Sequence, residues 1–299
     1  MLQLFSTYFH YTYDLKSSKA VRRLVSKALS KNSVSYAMVR ESLRKSARDG
    51  SLRVGLSFDV DLELDIKALP WLLRELGKRQ FSASFACIGQ FVEKFPNEHK
   101  AIVEAGHEIM NHTYSHPFHR TLNPHKRFLE LSDAEMRLEI QRCHETFEQI
   151  LSVKSIGFRT PHFGGLHTFR AYPILYDLRY RYSSSTIGTR TRTLGTPFLY
   201  QGIFEIPLTP DPTDFLTCVE TWKLFRAPRP IYRDESEFVR LFSILARWAV
   251  DEGASLNFYF DPIDLYNMGP AWSKIMSILI YLRNNYGYTI GAYRDIYGL

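Results

Sequence analysis

Strand-like and helical segments alternate along the chain from residue 53 onward, and this alternation limits the folds that the chain can adopt. Helical periodicity spans 66–80 and 132–151, and Ser132 followed by Glu135 forms a capping-box pattern. The apolar, strand-like runs are 53–59, 82–88, 107–112, 155–161, 180–186, 202–208, 255–261 and 288–293. Such alternation predicts an α/β fold with a parallel sheet, and about eight repeats suit a (β/α) barrel.

The N-terminal part of the chain differs from the rest in charge. Residues 1–53 carry 11 Lys and Arg against 3 Asp and Glu, whereas the rest of the chain is close to neutral. Segments 19–30 and 35–50 have amphipathic helical periodicity, with basic residues opposite the apolar ones. We therefore predict a basic helical appendage over 1–52 and a barrel over 53–299.

Two hypotheses remain open for this appendage. Basic amphipathic helices over residues 16–48 would suit peripheral contact with a membrane surface, a lipid-linked substrate or a partner. Alternatively, the helices pack on the barrel and expose their basic face to solvent. Because the motifs described below begin after it, we expect the barrel to fold without residues 1–50.

Composition favours a cytoplasmic protein. The three cysteines among 299 residues lie far apart, so a disulfide framework is not expected. The sequence shows neither a secretory signal nor a run of about 20 apolar residues. We expect a soluble cytoplasmic protein, peripheral to the inner membrane surface if the appendage binds there. Nucleic acid is not an expected partner, because the basic segment lacks interleaved stacking aromatics.

Residues able to bind a metal or move a proton fall at the predicted C-terminal ends of strands, where barrels carry their chemistry. Four predicted strands end in or near such residues, which are Asp59, His112, Arg159 and Asp261. His112 and His116 are four residues apart, so one helical turn or a tight loop would aim both imidazoles at one point. Asp59 and Asp61 each offer a carboxylate, and two His with one Asp suit a catalytic zinc.

Three stretches then resemble a known family. Residues 57–61 (SFDVD), 112–116 (HTYSH) and 158–161 (FRTP) resemble, in order and spacing, the first three motifs of the polysaccharide deacetylases, the NodB-homology family 4 carbohydrate esterases. The resemblance covers about residues 53–295 and implies a distorted (β/α) barrel of about seven or eight strands. It also implies hydrolysis of N-acetyl groups on amino sugars with a divalent metal, usually zinc. The Asp-x-Asp form resembles the branch of peptidoglycan deacetylases and allantoinase-like enzymes.

The resemblance implies a role for each motif residue. It makes Asp59 the general base, and Asp61 the metal ligand beside His112 and His116. Because successive strand residues point to opposite sides, Asp59 and Asp61 face the same way, which agrees with this division.

Further roles follow from the third motif. The resemblance implies that Arg159 holds the base and that the backbone N–H of His162 stabilises the oxyanion. We expect His162, Phe163 and His167 to contact substrate at the same barrel mouth.

Two positions depart from the family pattern. Ser183 stands where an aspartate is expected, so Arg159 lacks its usual partner. Asp261 stands where many members have the histidine that protonates the leaving amine. An aspartic acid with an ordinary pKa of about 3.9 is ionised at neutral pH, unless burial and a neighbouring carboxylate raise that pKa. His162 or His167 is the alternative proton donor.

The resemblance implies a metal-dependent N-deacetylase acting on an N-acylated amino sugar, which is free, polymeric or lipid-linked. One alternative is a related C–N hydrolase that acts on a small amide, as in the allantoinase-like branch. Another is an inactive glycan-binding protein, which loss of the acid histidine would produce. Zinc is the expected metal, and cobalt, nickel or iron would suit the same ligands.

Overall fold

Nine strands form one sheet within residues 32–47, 50–227 and 232–299, which are the residues that the computed structural model describes. The strands are β1 (Arg53–Val60), β2 (Ser84–Cys87), β3 (Glu108–Asn111), β4 (Gly157–Phe158), β5 (Tyr182–Ser183), β6 (Phe198–Tyr200), β7 (Ile203–Glu205), β8 (Leu256–Phe260) and β9 (Thr289–Gly291). Their order is β6-β7-β5-β4-β3-β2-β1-β8, and β9 also pairs with β1. Only β6 and β7 pair in antiparallel fashion among these described strands. All eight predicted strands are present, and β6 is an addition to them.

The sheet curls until β8 meets the chain that leaves β7. The Thr209 N–H donates to the Asn257 carbonyl over 2.9 Å, and the Asn257 N–H donates to Thr209 Oγ1 over 2.8 Å. The Asn257 side-chain amide also donates to the Pro207 carbonyl. These bonds replace a regular ladder between two strands, so the predicted distorted (β/α) barrel is confirmed.

Strand β1 pairs with three other strands and positions the first motif. It pairs with β8 on one side and with β9 and then β2 on the other. Every residue of β1 except Arg53 is buried, as is typical of a parallel strand covered on both faces. Its polar residues Ser57 and Asp59 share one face and point at Arg159.

Helices surround the sheet, as the alternating pattern predicted. They are α1 (Asn32–Ser46), α2 (Glu63–Gly77), α3 (Gly89–Lys94), α4 (Pro96–Glu104), α5 (Asp133–Leu151), α6 (Ala171–Asp177), α7 (Trp222–Phe225), α8 (Glu235–Glu252), α9 (Pro262–Asn267), α10 (Pro270–Tyr286) and α11 (Tyr293–Tyr297). The predicted capping box is confirmed at α5, where the Ser132 N–H donates to Glu135 Oε2 and the Glu135 N–H donates back to Ser132 Oγ.

Helix α1 is part of the main hydrophobic core. Met38, Val39 and Leu43 are buried together with the apolar residues of β1, β8 and α8. Tyr36 packs edge to face on Trp248 of α8, with ring centroids 5.2 Å apart. Removing residues 1–50 would uncover this part of the core, which argues against the expectation that the barrel folds without them.

The arrangement of α1 also bears on the membrane hypothesis. The apolar face that would enter a membrane is packed on the barrel over residues 32–46, so this part of 16–48 cannot offer it. The helix predicted over 19–30 lies outside the described residues. The division into a helical appendage over 1–52 and a barrel over 53–299 stays a prediction. Helix α1, although it belongs to the first segment, shares the core of the barrel. Among the described helices, none combines the length and the apolar character that a membrane span requires.

Candidate active site

The two aspartates of the first motif lie side by side where β1 ends. Asp59 is buried within the strand, and Asp61 follows it, partly exposed. The Asp61 N–H donates to Asp65 Oδ2, and its carbonyl accepts from His119 Nε2 over 2.8 Å. Asp65 also accepts the Leu62 N–H at the start of α2, so this carboxylate fixes the turn that presents Asp61.

The histidines of the second motif follow β3 in a tight loop rather than a helical turn. His112 comes directly after the strand, and Thr113 and His116 have φ angles of 68° and 52°. The Asn111 side chain accepts the Thr113 N–H, and Thr113 Oγ1 accepts the His116 N–H. These bonds hold the left-handed turns that bring both imidazoles to one side.

Asp61, His112 and His116 form a group that could hold a metal ion. Their ligand atoms all lie within 4.8 Å of one another, so a small inward movement would bring each to the distance of about 2.1 Å that zinc ligands have. Asp61 Oδ1 lies 3.2 Å from His112 Nε2, and Asp61 Oδ2 lies 3.5 Å from His116 Nε2. The predicted set of ligands is therefore brought together.

The protonation pattern of this group fits a divalent cation. His112 Nδ1–H donates to the Arg159 carbonyl over 2.8 Å, which leaves a lone pair on Nε2 facing Asp61. His112 Nε2, both ring nitrogens of His116 and Asp61 Oδ1 are buried without a hydrogen-bond partner among the described residues. Burial acts to raise the pKa of Asp61, but the two imidazoles lower it well below its usual range, so the carboxylate is ionised. Facing lone pairs of this kind repel each other unless a proton or a cation lies between them.

Asp59 is held beside the group by a buried arginine. Arg159 is completely buried, and its Nη1 donates to Asp59 Oδ1 over 2.6 Å. Asp59 Oδ2 lies 3.9 Å from His112 Nε2, farther than the Asp61 oxygen does. Burial alone would lower the pKa of Arg159, but the adjacent Asp59 carboxylate raises it, so the guanidinium stays charged. Asp59 is thus near the candidate metal group without being one of its closest members.

Arg159 compensates for the serine at position 183 with other partners. Its Nε donates to the Ser184 carbonyl over 3.0 Å, and its Nη2 donates to Ser57 Oγ over 2.9 Å. The Ser183 hydroxyl instead pairs with Ser185 Oγ. The missing aspartate is therefore replaced by neutral acceptors, and Asp59 is the only carboxylate bonded to Arg159 among the described residues.

A cleft of about 760 Å³ opens above the group. The predicted site residues that line it are Asp59, Asp61, His116, His162, Phe163 and Asp261. His162 has a φ angle of 50° and is exposed in the cleft, with its ring 4.7 Å from that of His116. Desolvation in the cleft, and then the neighbouring His116, lower the pKa of His162 to about 4. His162 is therefore neutral at pH 7.

His167 does not reach this cleft, contrary to the expectation that it contacts substrate or donates a proton. It is buried, and its Nδ1 lies 2.9 Å from Thr160 Oγ1. Its ring packs against Phe169 and Tyr172. Burial lowers the pKa of His167 to about 3, so it is a neutral core residue.

Asp261 lies in the cleft and pairs with an arginine that the motifs did not indicate. Arg226 Nη2 is 2.5 Å from Asp261 Oδ2 and 2.9 Å from Asp264 Oδ2. Burial raises the pKa of Asp261 well above its usual range, and Asp65 and Asp264 add to the rise, while Arg226 opposes it. One guanidinium therefore faces a group of three carboxylates, so at least one of them favours a proton at neutral pH.

Other cleft residues were missed by motif reasoning. Trp222 and Phe118 line the cleft with exposed side chains, and the Tyr259 hydroxyl donates to Glu220 at another point of the lining. His119 follows His116 by three residues, and this spacing could have indicated it. The segment that carries Glu220 and Trp222 has no periodicity or motif to indicate its position.

These features define an α/β barrel protein with a candidate divalent-metal site in an open cleft. Residues 47–182 match the family model described as polysaccharide deacetylase, and this range contains all three motifs. Residues 47–182 therefore resemble the polysaccharide deacetylases, and the resemblance predicted from the motifs is confirmed over this range. The family and the group of Asp61, His112 and His116 together indicate a divalent metal.

Individual relatives agree with this family. A peptidoglycan-N-acetylglucosamine deacetylase from Bacillus cereus is 31% identical over 109 residues, which are 36% of this chain and 36% of that protein. A Mycobacterium smegmatis protein assigned to the polysaccharide deacetylases has a TM-score of 0.67 at 16% identity, covering 82% of this chain and 88% of its own. A family 4 carbohydrate esterase from Streptomyces lividans, solved with acetate, has a TM-score of 0.51 at 17% identity. This match covers 80% of this chain and 92% of the esterase. The chain thus spans about a third of the curated relative's length, and the two structural likenesses show the fold.

Proposed function

We propose that this protein is a metal-dependent hydrolase that removes an N-acetyl group from an amino sugar of a glycan. One observation carries the proposal: Asp61, His112 and His116 converge with buried, unpartnered ligand atoms, and the Asp59–Arg159 pair lies beside them in an open cleft. The family of the domain supports the same reaction. We propose zinc as the metal, because two imidazoles and one carboxylate are typical zinc ligands.

Asp59 acts as the general base in this mechanism. A divalent metal, when bound, supplies a Lewis acid for the attacking water and the amide carbonyl. The Asp59 carboxylate accepts a proton from that water. Arg159 orients the Asp59 carboxylate by donating to Oδ1 over 2.6 Å. The other oxygen, Oδ2, then faces the metal ligands and lies 3.9 Å from His112 Nε2. The His162 backbone N–H donates to the oxygen that gains negative charge.

Asp261 is the proton donor that we assign to the leaving amine. It lines the cleft, and its raised pKa allows it to hold a proton within the group that includes Asp65 and Asp264. His162 is the competing donor, but its pKa of about 4 makes it a weak source of protons at pH 7. The position of His167 in the core, outside the cleft lining, argues against this role for it.

The cleft supports a glycan chain as substrate rather than a small cyclic amide. Its volume of about 760 Å³ is ample for more than one sugar ring, and the exposed rings of Trp222 and Phe118 offer apolar faces at its lining. We propose glycans containing N-acetylglucosamine, in free, polymeric or lipid-linked form; His162 and Phe163 would contact them. We also propose a cytoplasmic location, supported by three cysteines that are separate buried thiols.

Acetate release from N-acetylglucosamine oligomers tests this function directly. The protein is stripped with a chelator, reloaded with Zn²⁺ and compared with Asp59→Asn protein, with allantoin as the small-amide substrate. We expect zinc-dependent release from oligomers, none from allantoin and almost none from the variant. Tight oligomer binding without turnover would support the glycan-binding alternative, and a lack of both binding and turnover would refute the proposal.

A further inference from the structure

Helix α1 lies directly behind two loops of the cleft. Loop A is defined as residues 187–196 and loop B as residues 213–222. Ser35 Oγ accepts the Phe215 N–H of loop B over 2.9 Å, and Thr196 Oγ1 of loop A donates to the Lys45 carbonyl over 2.7 Å. Each loop is therefore hydrogen-bonded to the same helix.

Close packing adds to these bonds at the middle of α1. Ser42 is buried against Gly188 and Gly195 of loop A. A β-carbon placed on these glycines would lie 2.8 and 2.6 Å from Ser42 Oγ, which is closer than real contacts allow. Glycine at both positions lets loop A approach the helix, so this contact has little room to shift.

The two loops together form one wall of the cleft. Loop A contributes Ile187 and Arg190, and loop B contributes residues from Leu216 to Trp222. The loops are also joined to each other, because the Thr189 hydroxyl donates to the Phe215 carbonyl. The candidate metal ligands come from elsewhere, at the ends of β1 and β3. The wall and the ligands are thus carried by different parts of the fold.

Helix α1 is firmly fixed on its other side. Val39 is completely buried and Leu43 is 2% exposed. Arg40 Nε pairs with Glu252 Oε1 of α8 over 2.6 Å, next to the Tyr36–Trp248 ring contact. A helix held in this way can act as a rigid support for the loops.

We propose that α1 is a positioning element for the substrate-binding wall of the cleft, with Ser35 and Thr196 as positioning residues. The expected changes in KM and kcat rest on the proposed function, whereas the expected changes in hydrogen exchange do not. Helix α1 and both loops lie outside the family match over 47–182. Loosening either loop changes how the sugar is held, while the metal ligands and Asp59 keep their places.

Three single substitutions test the proposal in the full-length protein. Ser35→Ala removes the acceptor of the Phe215 N–H, and Thr196→Val removes the donor to Lys45. Ser46→Ala is the matched control, because its buried hydroxyl donates within α1 to the Leu43 carbonyl and not to either loop. The readouts are amide hydrogen exchange of loops A and B, zinc content, and KM and kcat for N-acetylglucosamine oligomers.

We expect Ser35→Ala to speed exchange in loop B roughly 5- to 30-fold, the factor that loss of one hydrogen bond gives. Thr196→Val should do the same in loop A. Both should raise KM several-fold with kcat within about twofold and unchanged zinc content, whereas Ser46→Ala should match the parent. The split between KM and kcat separates positioning from a general loss of stability.

Two results would overturn the proposal. Exchange in both loops that matches Ser46→Ala would show that α1 does not hold them. Faster exchange with an unchanged KM would show that this wall does not position substrate. If the parent protein has no turnover, the proposed function fails separately, and oligomer affinity measured by calorimetry replaces KM, with weaker binding in both loop variants expected.

Discussion

Replacing Asp59 by Asn should separate the chemistry of the site from its stability. Asp59 is 3% exposed, and its Oδ1 accepts from the fully buried Arg159 at 2.6 Å. Asparagine has nearly the same shape and keeps an oxygen that can accept this bond. It cannot accept a proton from water, and it leaves the guanidinium without a carboxylate partner.

The size of each effect follows from these contacts. Loss of a general base lowers the rate by about 10²- to 10⁴-fold. Removing a partner of a buried ion pair outright costs about 3–5 kcal/mol. Because asparagine retains a neutral hydrogen bond, we expect the free energy of unfolding to fall by only about 1–3 kcal/mol. Bound zinc should be unchanged, since Asp61, His112 and His116 are intact.

A double-mutant cycle with Arg159→Met makes this test quantitative. Unfolding in denaturant gives the free energies, acetate release gives the rates and elemental analysis gives the zinc content. Asp59→Asn should destabilise the Arg159→Met protein less than it destabilises the parent, because the buried cation is already gone. Equal costs in both backgrounds would refute the ion-pair argument. Parental activity in Asp59→Asn protein would refute its role as the base.

Four further outcomes are expected. His112→Ala should weaken zinc binding by more than about 100-fold in a chelator competition, and full retention of zinc would contradict the ligand set. Deleting 1–50 should abolish folding as judged by circular dichroism, because three buried apolar side chains of α1 contribute about 5–9 kcal/mol; deleting 1–31, which keeps α1, should not. His167 has a pKa of about 3 in the folded protein against 6.5 normally. Only the unfolded chain therefore takes up its proton between these values, so the free energy of unfolding should fall as the pH drops from 7 to 4. His167→Asn should remove roughly 2–3 kcal/mol of that fall, and an unchanged pH dependence would argue against a buried neutral imidazole. Activity should decline as the pH rises through the raised pKa of Asp261, since the donor must be protonated, and Asp261→Asn should remove that limb of the pH–rate profile.

The parts of the site that the sequence predicted depend on short-range spacing. Asp59 and Asp61 share a side because strand residues alternate, and this holds for any strand. His112 and His116 converge because a tight loop joins them, which their spacing allowed. The eight predicted strands were found for the same reason, since each is a local apolar run.

The parts that could not be predicted depend on contacts between distant segments. His167 follows the third motif closely in sequence, but packing against Phe169 and Tyr172 turns it into the core. Ser184 replaces the expected partner of Arg159 through its carbonyl, which no residue type can indicate. The amphipathic pattern of α1 left open whether its apolar face meets a membrane or the barrel, and the assembled fold places that face in the barrel core over residues 32–46.

The aspartate at position 261 belongs with Arg226 rather than with the three motifs. A histidine at this position would place a group that must become cationic beside Arg226, whose Nη2 now lies 2.5 Å from Asp261 Oδ2. Like charges at that distance lower the pKa of an imidazole, which would remove its value as an acid. The ionised form of Asp261 gains from the same neighbour, because Arg226 offsets part of the cost of burying its charge, whereas burial, Asp65 and Asp264 raise its pKa and favour the protonated form. The Asp261 carboxyl group and the Arg226 guanidinium therefore form one electrostatic unit. The aspartate that replaces the family histidine is thus paired with an arginine 35 positions earlier in the chain.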